Sequence, residues 1–524
     1  MSNLIIILLP TIILLSGAAI LFLLPLTRGR NIPRLLPLFT MVIILLALMV
    51  AFKYPGHGSW DPQTKLTSED GALRVTAPGM WVIYLSLMFS LLLVLVAWNP
   101  QRTAVPELKG ELKGSDTFFS SYTMAPEFFA LLLTSISGLV LLAVANNLII
   151  LFLALELVSL PTYVMVTLSR WRMQAREAGL KYFFLGALAA AIMAYGFSFL
   201  YGLTGQINLG SIGSHLAAAE NINPFCIIAL VLVIIGLCFK IAAVPMHFYV
   251  ADVYQGAACP VTALLAFVPK FAGFYALILI MKSAVLPLMG LPNDASPYNI
   301  NSSIGLLFWI LAAATMTAGN LLALMQKNVK RLLAYSSIAH SGYILLAFLA
   351  LPQITKQTQF ITLADSAQIA IIFYVAIYGV ATLGAFAVLS LLEKQSDEAQ
   401  QISDLTGLAR SHPGYALALA VCIFSLIGMP LTAGFVGKFY IFSTLIQSTG
   451  LISHYWIVVL LVIAVINAAI ASAYYLRIIG ACYLDDGPFT AKLNSDGYRA
   501  IGITVAAIIT IILGIAPSLL LNKF

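Results

Sequence analysis

The chain has 524 residues, of which 61% are hydrophobic and 9% are charged, and its mean hydropathy is +0.99. A soluble domain usually carries about 25% charged residues, so this composition excludes an array of soluble domains. We predict an all-α polytopic membrane protein, with a single membrane domain over residues 1–524. The net charge of +7 is then expected to set orientation in the bilayer and does not indicate a nucleic-acid partner.

The motifs of common cofactor sites are missing from the sequence. Its five cysteines never form a Cys-x-x-Cys pair, which argues against iron–sulfur and structural zinc ligation. No glycine-rich dinucleotide or triphosphate motif occurs either. We therefore assign no metal ligand and no cofactor-binding residue to this chain, and we expect any redox cofactor in a partner.

Fourteen apolar runs are long enough to cross a bilayer. The first run, about Leu4 to Leu26, lacks the basic start and short core of a signal peptide, and we treat it as a span. The segments from Lys53 to Pro78 and from Asn99 to Met124 are expected to be extramembrane loops or short surface helices. The runs are centred near residues 15, 44, 89, 135, 157, 190, 236, 268, 314, 341, 379, 430, 466 and 509.

The distribution of Lys and Arg predicts the orientation of the chain. With the N-terminus outside, 17 of the 27 basic residues, among them Lys330 and Arg499, fall on the inner side and 6 on the outer side. Cytoplasmic loops carry such an excess, so we predict both termini on the outer side. A basic inner face without a targeting peptide favours a bacterial plasma membrane.

Six ionisable residues lie inside the apolar runs. An ionisable group at the bilayer centre costs at least about 2.5–3.5 kcal/mol, so each one is a candidate functional residue. The four remaining basic residues are all lysines, and one carboxylate and one histidine accompany them. The six candidates are Glu156, Lys181, Lys240, Lys270, His340 and Lys438.

Glu156 and Lys240 are expected to form a pair. A lone carboxylate in a low-dielectric interior would become neutral unless a cation lay beside it. Lys240 precedes Pro245, which should break or kink the seventh span. The pair is either part of a functional cavity at the broken helix or a buried ion pair that only fixes packing.

Two further lysines lie where helix irregularity is expected. Lys270 directly follows Pro269 on the eighth span, and Lys438 lies on the twelfth span. Each is either a functional cation or a lysine held by backbone carbonyl groups. The residues that weaken the twelfth helix are Gly428, Pro430, Gly434 and Gly437.

Two candidates have equally open interpretations. Lys181 lies only a few residues into the sixth span, so its side chain could instead reach the headgroups. His340 is the central group that can exchange a proton near neutrality, although a lone histidine can also be a packing residue. His247, near the end of a helix, is a weaker candidate.

The two broken spans, at about 224–249 and 414–446, predict an inverted repeat with its site at the repeat interface. We expect spans four to eight (125–281) as one repeat and spans nine to thirteen (303–477) as the other. The candidates offer no carboxylate cage for a divalent ion and no nucleophile–base set, and a row of Lys, Glu and His suits proton transfer. Moving one charge against 100 mV requires about 2.3 kcal/mol, so an external driver is implied.

Several long stretches resemble the N subunit family of respiratory complex I. They include PEFFALLLTSISGLVLLAVANNLIILFLALELVSLPTY, EAGLKYFFLGALAAAIMAYGFSFLYGLTG, VPMHFYVADVYQGAACPVTALLAFVPKFAGFY, GNLLALMQKNVKRLLAYSSIAHSGYIL and GMPLTAGFVGKFYIF. The resemblance weakens before about residue 79. It implies a fourteen-helix antiporter-like subunit that moves protons, beside other complex I membrane subunits. It also implies that sister subunits carry FMN, iron–sulfur clusters and the quinone site.

By position, the resemblance implies that Glu156 and Lys240 are the family's charge pair, Lys270 its central lysine and Lys438 the lysine of its broken twelfth helix. Lys181 and His340 also match family positions. Two alternatives remain open at this point. One is a subunit of a multisubunit cation/proton antiporter, driven by an ion gradient. The other is a scaffold of the membrane arm whose charges only hold helices together.

Overall fold

Apolar helices account for most of the chain. The computed structural model describes residues 3–24, 32–53, 67–98, 126–168, 173–218, 223–286, 300–351, 359–394, 397–398, 400–447, 454–485, 489, 492–493 and 497–521. The helices of the first half are α1 (Asn3–Leu23), α2 (Ile32–Phe52), α3 (Ala77–Ala97), α4 (Pro126–Ala143), α5 (Leu148–Leu168), α6 (Met173–Thr204), α7 (Leu209–Ala217), α8 (Pro224–Ile241), α9 (Val250–Gly256) and α10 (Cys259–Ile280). A π-helix, Met281–Val285, extends α10.

The second half continues with α11 (Ile300–Leu324), α12 (Val329–Phe348), α13 (Gln359–Leu391), a 3₁₀ helix (Ile402–Leu405), α14 (Leu408–Ser411), α15 (Pro413–Ile427), α16 (Ala433–Gln447), α17 (His454–Tyr483), α18 (Gly497–Ile515) and α19 (Ser518–Leu521). Three very short strands, β1 (Leu392–Lys394), β2 (Asp397–Glu398) and β3 (Lys492–Leu493), form an antiparallel sheet in the order β2-β1-β3.

The predicted all-α polytopic membrane architecture is confirmed. Within the described ranges, twelve helices are long and apolar enough to cross a membrane. The other two predicted spans do not meet this criterion of length and hydropathy. Helix α12 has 20 residues but includes Lys330, Arg331 and His340, which lower its hydropathy. The twelfth predicted span consists of two helices, α15 and α16, of 15 residues each.

Helices α10 and α13 form the centre of the bundle. In the most apolar stretch of each helix, 94% of the residues are buried for α10 and 89% for α13, compared with 28% for α17 and α18. The two central helices pack against each other, and α10 also contacts α5 and α8. The outer helices therefore leave much of their apolar surface exposed to the surrounding membrane, whereas polar groups on α10 and α13 are enclosed by protein.

Both expected helix breaks are present. Helix α8 ends at Ile241, followed by Ala242 with a φ of 60°, and Pro245 lies between α8 and α9. Helix α15 ends at Ile427, followed by Gly428 with a φ of 89°. A left-handed residue followed by proline is a common helix end, because the first reverses the chain and the second cannot continue the helix.

The expectation of an irregular helix at Pro269 is wrong. Helix α10 continues through this residue from Cys259 to Ile280. All but one of its residues are buried, so close packing by neighbouring helices supports a turn in which the proline removes one backbone hydrogen bond.

Two asparagines begin helices in the same way. The side chain of Asn147 accepts a hydrogen bond from the backbone N–H of Ile149 at the start of α5. The side chain of Asn328 accepts from the N–H groups of Lys330 and Arg331 at the start of α12. Each asparagine also forms an isolated bridge to a later loop, to Asn208 and Gln401 respectively. These helices are the second members of the two predicted repeats.

Parts of the predicted extramembrane loops lie outside the described residues, namely 54–66 and 99–125. The described end of the first loop is a turn. In it the backbone N–H of Ser68 donates to the carbonyl oxygen of Leu73, and the N–H of Leu73 donates to the hydroxyl oxygen of Ser68, both at 3.0 Å.

Candidate proton-transfer site

Glu156 on α5 and Lys240 on α8 are in direct contact. The Nζ of Lys240 lies 2.9 Å from Oε1 of Glu156 and 2.6 Å from Oγ of Ser159, one turn further along α5. The Lys240 side chain is 3% exposed and that of Glu156 is 16% exposed. The ammonium therefore has a carboxylate and a hydroxyl as partners next to the end of α8, while the carboxylate retains access to the outside of the subunit.

A small cavity separates Lys240 from Lys270. Its walls include both lysines and the side chains of Tyr182, Tyr249 and Tyr254. Its volume of about 10 Å³ is room for about one water molecule. The lysines thus border a small, mostly apolar space lined by aromatic rings, which is large enough for one connecting water molecule.

Lys270 on α10 is held by the middle of α12. Its ammonium donates to the carbonyl oxygen of Ser337 at 2.5 Å and to Oγ of Ser341 at 2.9 Å. The Ser341 hydroxyl in turn donates to the carbonyl oxygen of Ile241 at 2.6 Å, which is the last residue of α8. The carbonyl contact is therefore the one expected of a structural lysine. The hydroxyl contact, through Ser341, connects Lys270 to the end of α8 at the helix break.

His340 on α12 lies between two phenol groups. Its Nδ1 is 2.8 Å from the hydroxyl oxygen of Tyr374 on α13, and its Nε2 is 3.2 Å from that of Tyr475 on α17. The Tyr475 hydroxyl also contacts Oγ of Ser336. His340 is 4% exposed. Both ring nitrogens therefore have a partner that can donate or accept a proton.

Lys438 on α16 closes the broken twelfth span. Its ammonium donates to the carbonyl oxygens of Ile427 at 2.7 Å and Leu426 at 3.2 Å, at the end of α15. It also lies 4.9 Å from the centre of the Tyr343 ring, within the range of a cation–π contact. Lys438 is 6% exposed, so helix dipole, carbonyl groups and ring together compensate for its lost hydration.

Lys181 lies apart from these contacts. Its side chain is 45% exposed and pairs with Glu177 at 2.7 Å and with Asp252 at 3.1 Å. Asp252, on α9, also binds Arg331 at 2.6 Å. The structure thus places Lys181 in a half-exposed ion network that joins α6, α9 and α12, and its two ion-pair partners are not among the six candidates.

Several polar residues of the site were not predicted. Ser159, Ser337 and Ser341 supply ligands to the lysines, and the tyrosines around His340 carried no local signal in the sequence. Lys330, counted among the basic residues of the inner side, is not an exposed loop residue. Its side chain is completely buried at the start of α12 and donates to the carbonyl oxygen of Ala257 at the end of α9, because α9 packs over this helix end.

Arg499 is buried in the same way. It was counted among the basic residues of the inner side, and it is 4% exposed and donates to the carbonyl oxygens of Trp98 and Ser390. Both acceptors lie at the ends of apolar helices, where free carbonyl groups attract a cation. Arg499 therefore connects α18 to the ends of α3 and α13.

The arrangement has the elements of a proton path. Among the described residues, no three His, Cys, Asp or Glu side chains are close enough together to hold a metal ion. The groups that meet in the bundle are amines, a carboxylate, an imidazole and hydroxyls. All of these can donate or accept protons, and they occur on α5, α8, α10, α12, α13, α16 and α17.

Comparison with known proteins identifies relatives of this chain. The family model described as NADH:quinone oxidoreductase/Mrp antiporter, TM, matches residues 145–467. The NADH-quinone oxidoreductase subunit N of Trichlorobacter lovleyi is 37% identical over 398 residues, which are 76% of this chain and 75% of that protein. A chain of respiratory complex I from Thermus thermophilus with bound aureothin is 30% identical, with a TM-score of 0.73 and 98% coverage of both chains.

A chain of the Mrp complex from Dietzia sp. DQ12-45-1b has a TM-score of 0.76 over 99% of this chain and 96% of its own, at 18% identity. At that identity the likeness concerns the fold alone. The fold and the buried row of charges define an antiporter-type membrane subunit. Several families share this fold, whereas the sequence identity to subunit N proteins is specific to one of them. The chain belongs to the NADH-quinone oxidoreductase subunit N family.

Proposed function

We propose that the chain is a membrane-arm subunit of NADH-quinone oxidoreductase, complex I, and translocates protons while partner subunits transfer electrons from NADH to quinone. The observation that carries this proposal is the contact of Glu156 with Lys240 at 2.9 Å beside the end of a broken helix. A buried ionisable pair at such a break is typical of a transport site.

The proposed route begins at this pair. Negative charge or a conformational change from a neighbouring subunit alters the attraction between Glu156 and Lys240. A lysine in a low-dielectric site gives up its proton more readily when its counter-ion moves away. Lys240 then passes a proton through the adjoining cavity to Lys270, and Lys438 connects this centre to one side of the membrane. His340 lies on the second part of the route, between Lys270 and Lys438. Lys181, half exposed on α6, is a further proton-translocating residue.

The remaining components of the reaction belong to partners. We place FMN, the iron–sulfur clusters and the quinone site in sister subunits, because the sequence has none of the corresponding motifs. The apolar outer faces suit neighbouring membrane subunits and the lipid bilayer. We further propose a bacterial plasma membrane with both termini on the outer side, on the basis of the distribution of basic residues.

The two-repeat organisation, 125–281 and 303–477, is also part of the proposal. Two pairs of features support it. Asn147 and Asn328 cap the second helix of each repeat in the same way. Helices α8 and α15, which begin the broken seventh and twelfth spans, both end at a left-handed residue, Ala242 and Gly428.

A cation/proton antiporter subunit is the second candidate, because the Mrp chain has the same fold. A native gel of gently solubilised membranes separates the two. Migration with a very large assembly that oxidises NADH and contains iron–sulfur clusters would support the complex I proposal. A smaller assembly without redox activity would favour the antiporter, and sodium-dependent proton flux would then be measured.

Substitutions test the route and the scaffold alternative. Complexes with Lys240→Ala, Lys270→Ala or Lys438→Ala are expected to assemble, as judged on the native gel, and to lose proton translocation per NADH oxidised. Loss of assembly in Lys240→Ala would favour a scaffold. Unimpaired translocation in assembled Lys270→Ala and Lys438→Ala complexes would overturn the route.

A further inference from the structure

The proposed route contains a gap that the lysines do not fill. Lys270 contacts Ser337 and Ser341, and Lys438 contacts the end of α15. His340 lies between the two lysines on α12 but bonds to neither of them. Its two hydrogen-bond partners are the phenol groups of Tyr374 and Tyr475, so any proton that crosses this imidazole meets a tyrosine on each side.

The Tyr475 side of the histidine leads toward Lys270. The Tyr475 hydroxyl contacts both Nε2 of His340 and Oγ of Ser336. Ser336 directly precedes Ser337, whose carbonyl oxygen accepts a hydrogen bond from Lys270. Tyr475 is completely buried, so its hydroxyl exchanges protons with these protein groups or with enclosed water.

The Tyr374 side leads toward Lys438. The ring of Tyr374 packs against Gly437, where a Cβ atom would lie 2.6 Å from the Cδ2 atom of Tyr374. Gly437 directly precedes Lys438 on α16. The missing side chain at this position allows the phenol of α13 to approach both the imidazole and the helix that carries the lysine.

We propose that the hydroxyl groups of Tyr374 and Tyr475 carry protons to and from His340, and so complete the path between Lys270 and Lys438. This inference rests on the proposed function. It assigns a role to two tyrosines that lie in apolar helices and that the sequence alone does not distinguish from other tyrosines.

The transfer conserves protons at every atom and needs no oxidant. Starting with a proton on Nδ1, the Tyr475 O–H bond breaks as its proton binds Nε2, and Tyr475 takes a proton from Ser336, which is reprotonated from the Lys270 side. The Nδ1–H bond of the resulting imidazolium then breaks, its proton passes to Tyr374, and Tyr374 releases its own proton toward Lys438. One proton enters, one leaves, and His340 is left in the other tautomer, so rotation of the ring and the hydroxyls resets the path.

Substitution by phenylalanine removes the hydroxyl and keeps the ring. Tyr374→Phe and Tyr475→Phe would be introduced into the complete complex in inverted membrane vesicles, and proton uptake would be measured per NADH oxidised, beside Lys270→Ala. The matched control is Tyr275→Phe, because Tyr275 is equally buried and its hydroxyl donates to the carbonyl oxygen of Ala143 at 3.3 Å. This acceptor lies at the end of α4, outside the proposed path.

Lys270→Ala defines the part of proton uptake that depends on the proposed route. We expect this part to fall at least about tenfold in both test variants, as for loss of a proton-transfer group, and to stay near the parent level in Tyr275→Phe. Parent-level uptake in Tyr374→Phe and Tyr475→Phe, with Lys270→Ala inactive, would overturn the inference and leave the proposed function standing. An equal loss in Tyr275→Phe would also overturn it, since loss of any buried hydroxyl would then have the same effect. Normal uptake in Lys270→Ala would instead count against the proposed route.

A second variant keeps the test decisive if a tyrosine variant fails to assemble. Gly437→Ala leaves every polar group in place but displaces Tyr374 from its position. Gly480→Ala is the control, because a Cβ atom there meets nothing within 4 Å. We expect reduced uptake in the first variant only. Equal uptake in both would contradict the role of Tyr374.

Discussion

Lys438 donates a hydrogen bond to the carbonyl oxygen of Ile427 at 2.7 Å, so the cation on one half of the twelfth span caps the end of the other half. The last carbonyl groups of a helix carry about half a negative charge. The break therefore creates its own binding site for an ammonium group, and the lysine and the helix end stabilise each other.

Gly428→Ala tests this capping. The φ of 89° is unfavourable for any residue with a Cβ atom, by about 1–2 kcal/mol, and the added methyl group would lie 3.1 Å from Cδ of Lys438. We expect the subunit to leave the complex at a lower temperature and proton translocation to fall. Native gels after stepwise heating measure the first effect, with Gly480→Ala as the control. An unchanged dissociation temperature of the subunit would contradict the capping of α15 by Lys438.

Replacing both Glu156 and Lys240 by neutral residues of similar size tests whether the pair is needed for its charges or only for packing. Removing Glu156 leaves the buried ammonium of Lys240 uncompensated, at a cost of about 3–5 kcal/mol, whereas removing Lys240 leaves a carboxylate that is partly exposed and costs less. We expect Glu156→Ala to weaken assembly. The double variant Glu156→Gln with Lys240→Met should recover assembly on a native gel but not proton translocation. Recovery of both would mean that the pair only fixes packing.

Gly273→Ala probes the contact between α8 and α10. A Cβ atom at this position would lie 2.7 Å from Cγ2 of Ile241 and 3.0 Å from Cβ of Lys240. The two helices must therefore separate slightly, which lengthens the gap between Lys240 and Lys270. We expect an assembled complex with a lower rate of proton translocation per NADH oxidised. A rate equal to that of the Gly480→Ala control would show that this spacing is not limiting.

Lys181→Met is expected to have the weakest effect among the lysine variants. Its ammonium is half exposed and meets Glu177 and Asp252, and exposed ion pairs contribute about 0–1 kcal/mol. Asp252 keeps Arg331 as a partner. Proton translocation should thus fall less than in Lys270→Met, measured in the same vesicles. An equal loss would place Lys181 directly on the path.

Much of the fold could be predicted from local patterns. Apolar runs predict the spans because the bilayer fixes their length, and the proline and glycine residues near positions 245 and 430 predict the breaks because they act on their own backbone. Pro269 fails this rule. Its helix is enclosed by others, and tertiary packing is not visible in a local pattern.

The candidate site was predictable only in part. Ionisable residues stand out in an apolar run because burial is costly for them. Serine and tyrosine are common in such runs, and their importance arises from contacts between distant segments. Ser341 meets Ile241 across 100 positions of the chain, and Tyr475 meets His340 across 135. The distribution of basic residues likewise gave no sign that α9 covers Lys330.

Ser341 has a consequence for how movement and charge are coupled. Its hydroxyl accepts from Lys270 and donates to the last carbonyl group of α8. A shift of the end of α8 by about an ångström would stretch these hydrogen bonds beyond their usual lengths. Displacement of α8 alone would then alter the hydrogen bonding of the Lys270 ammonium, and the two halves of the bundle would act on each other mechanically as well as electrostatically.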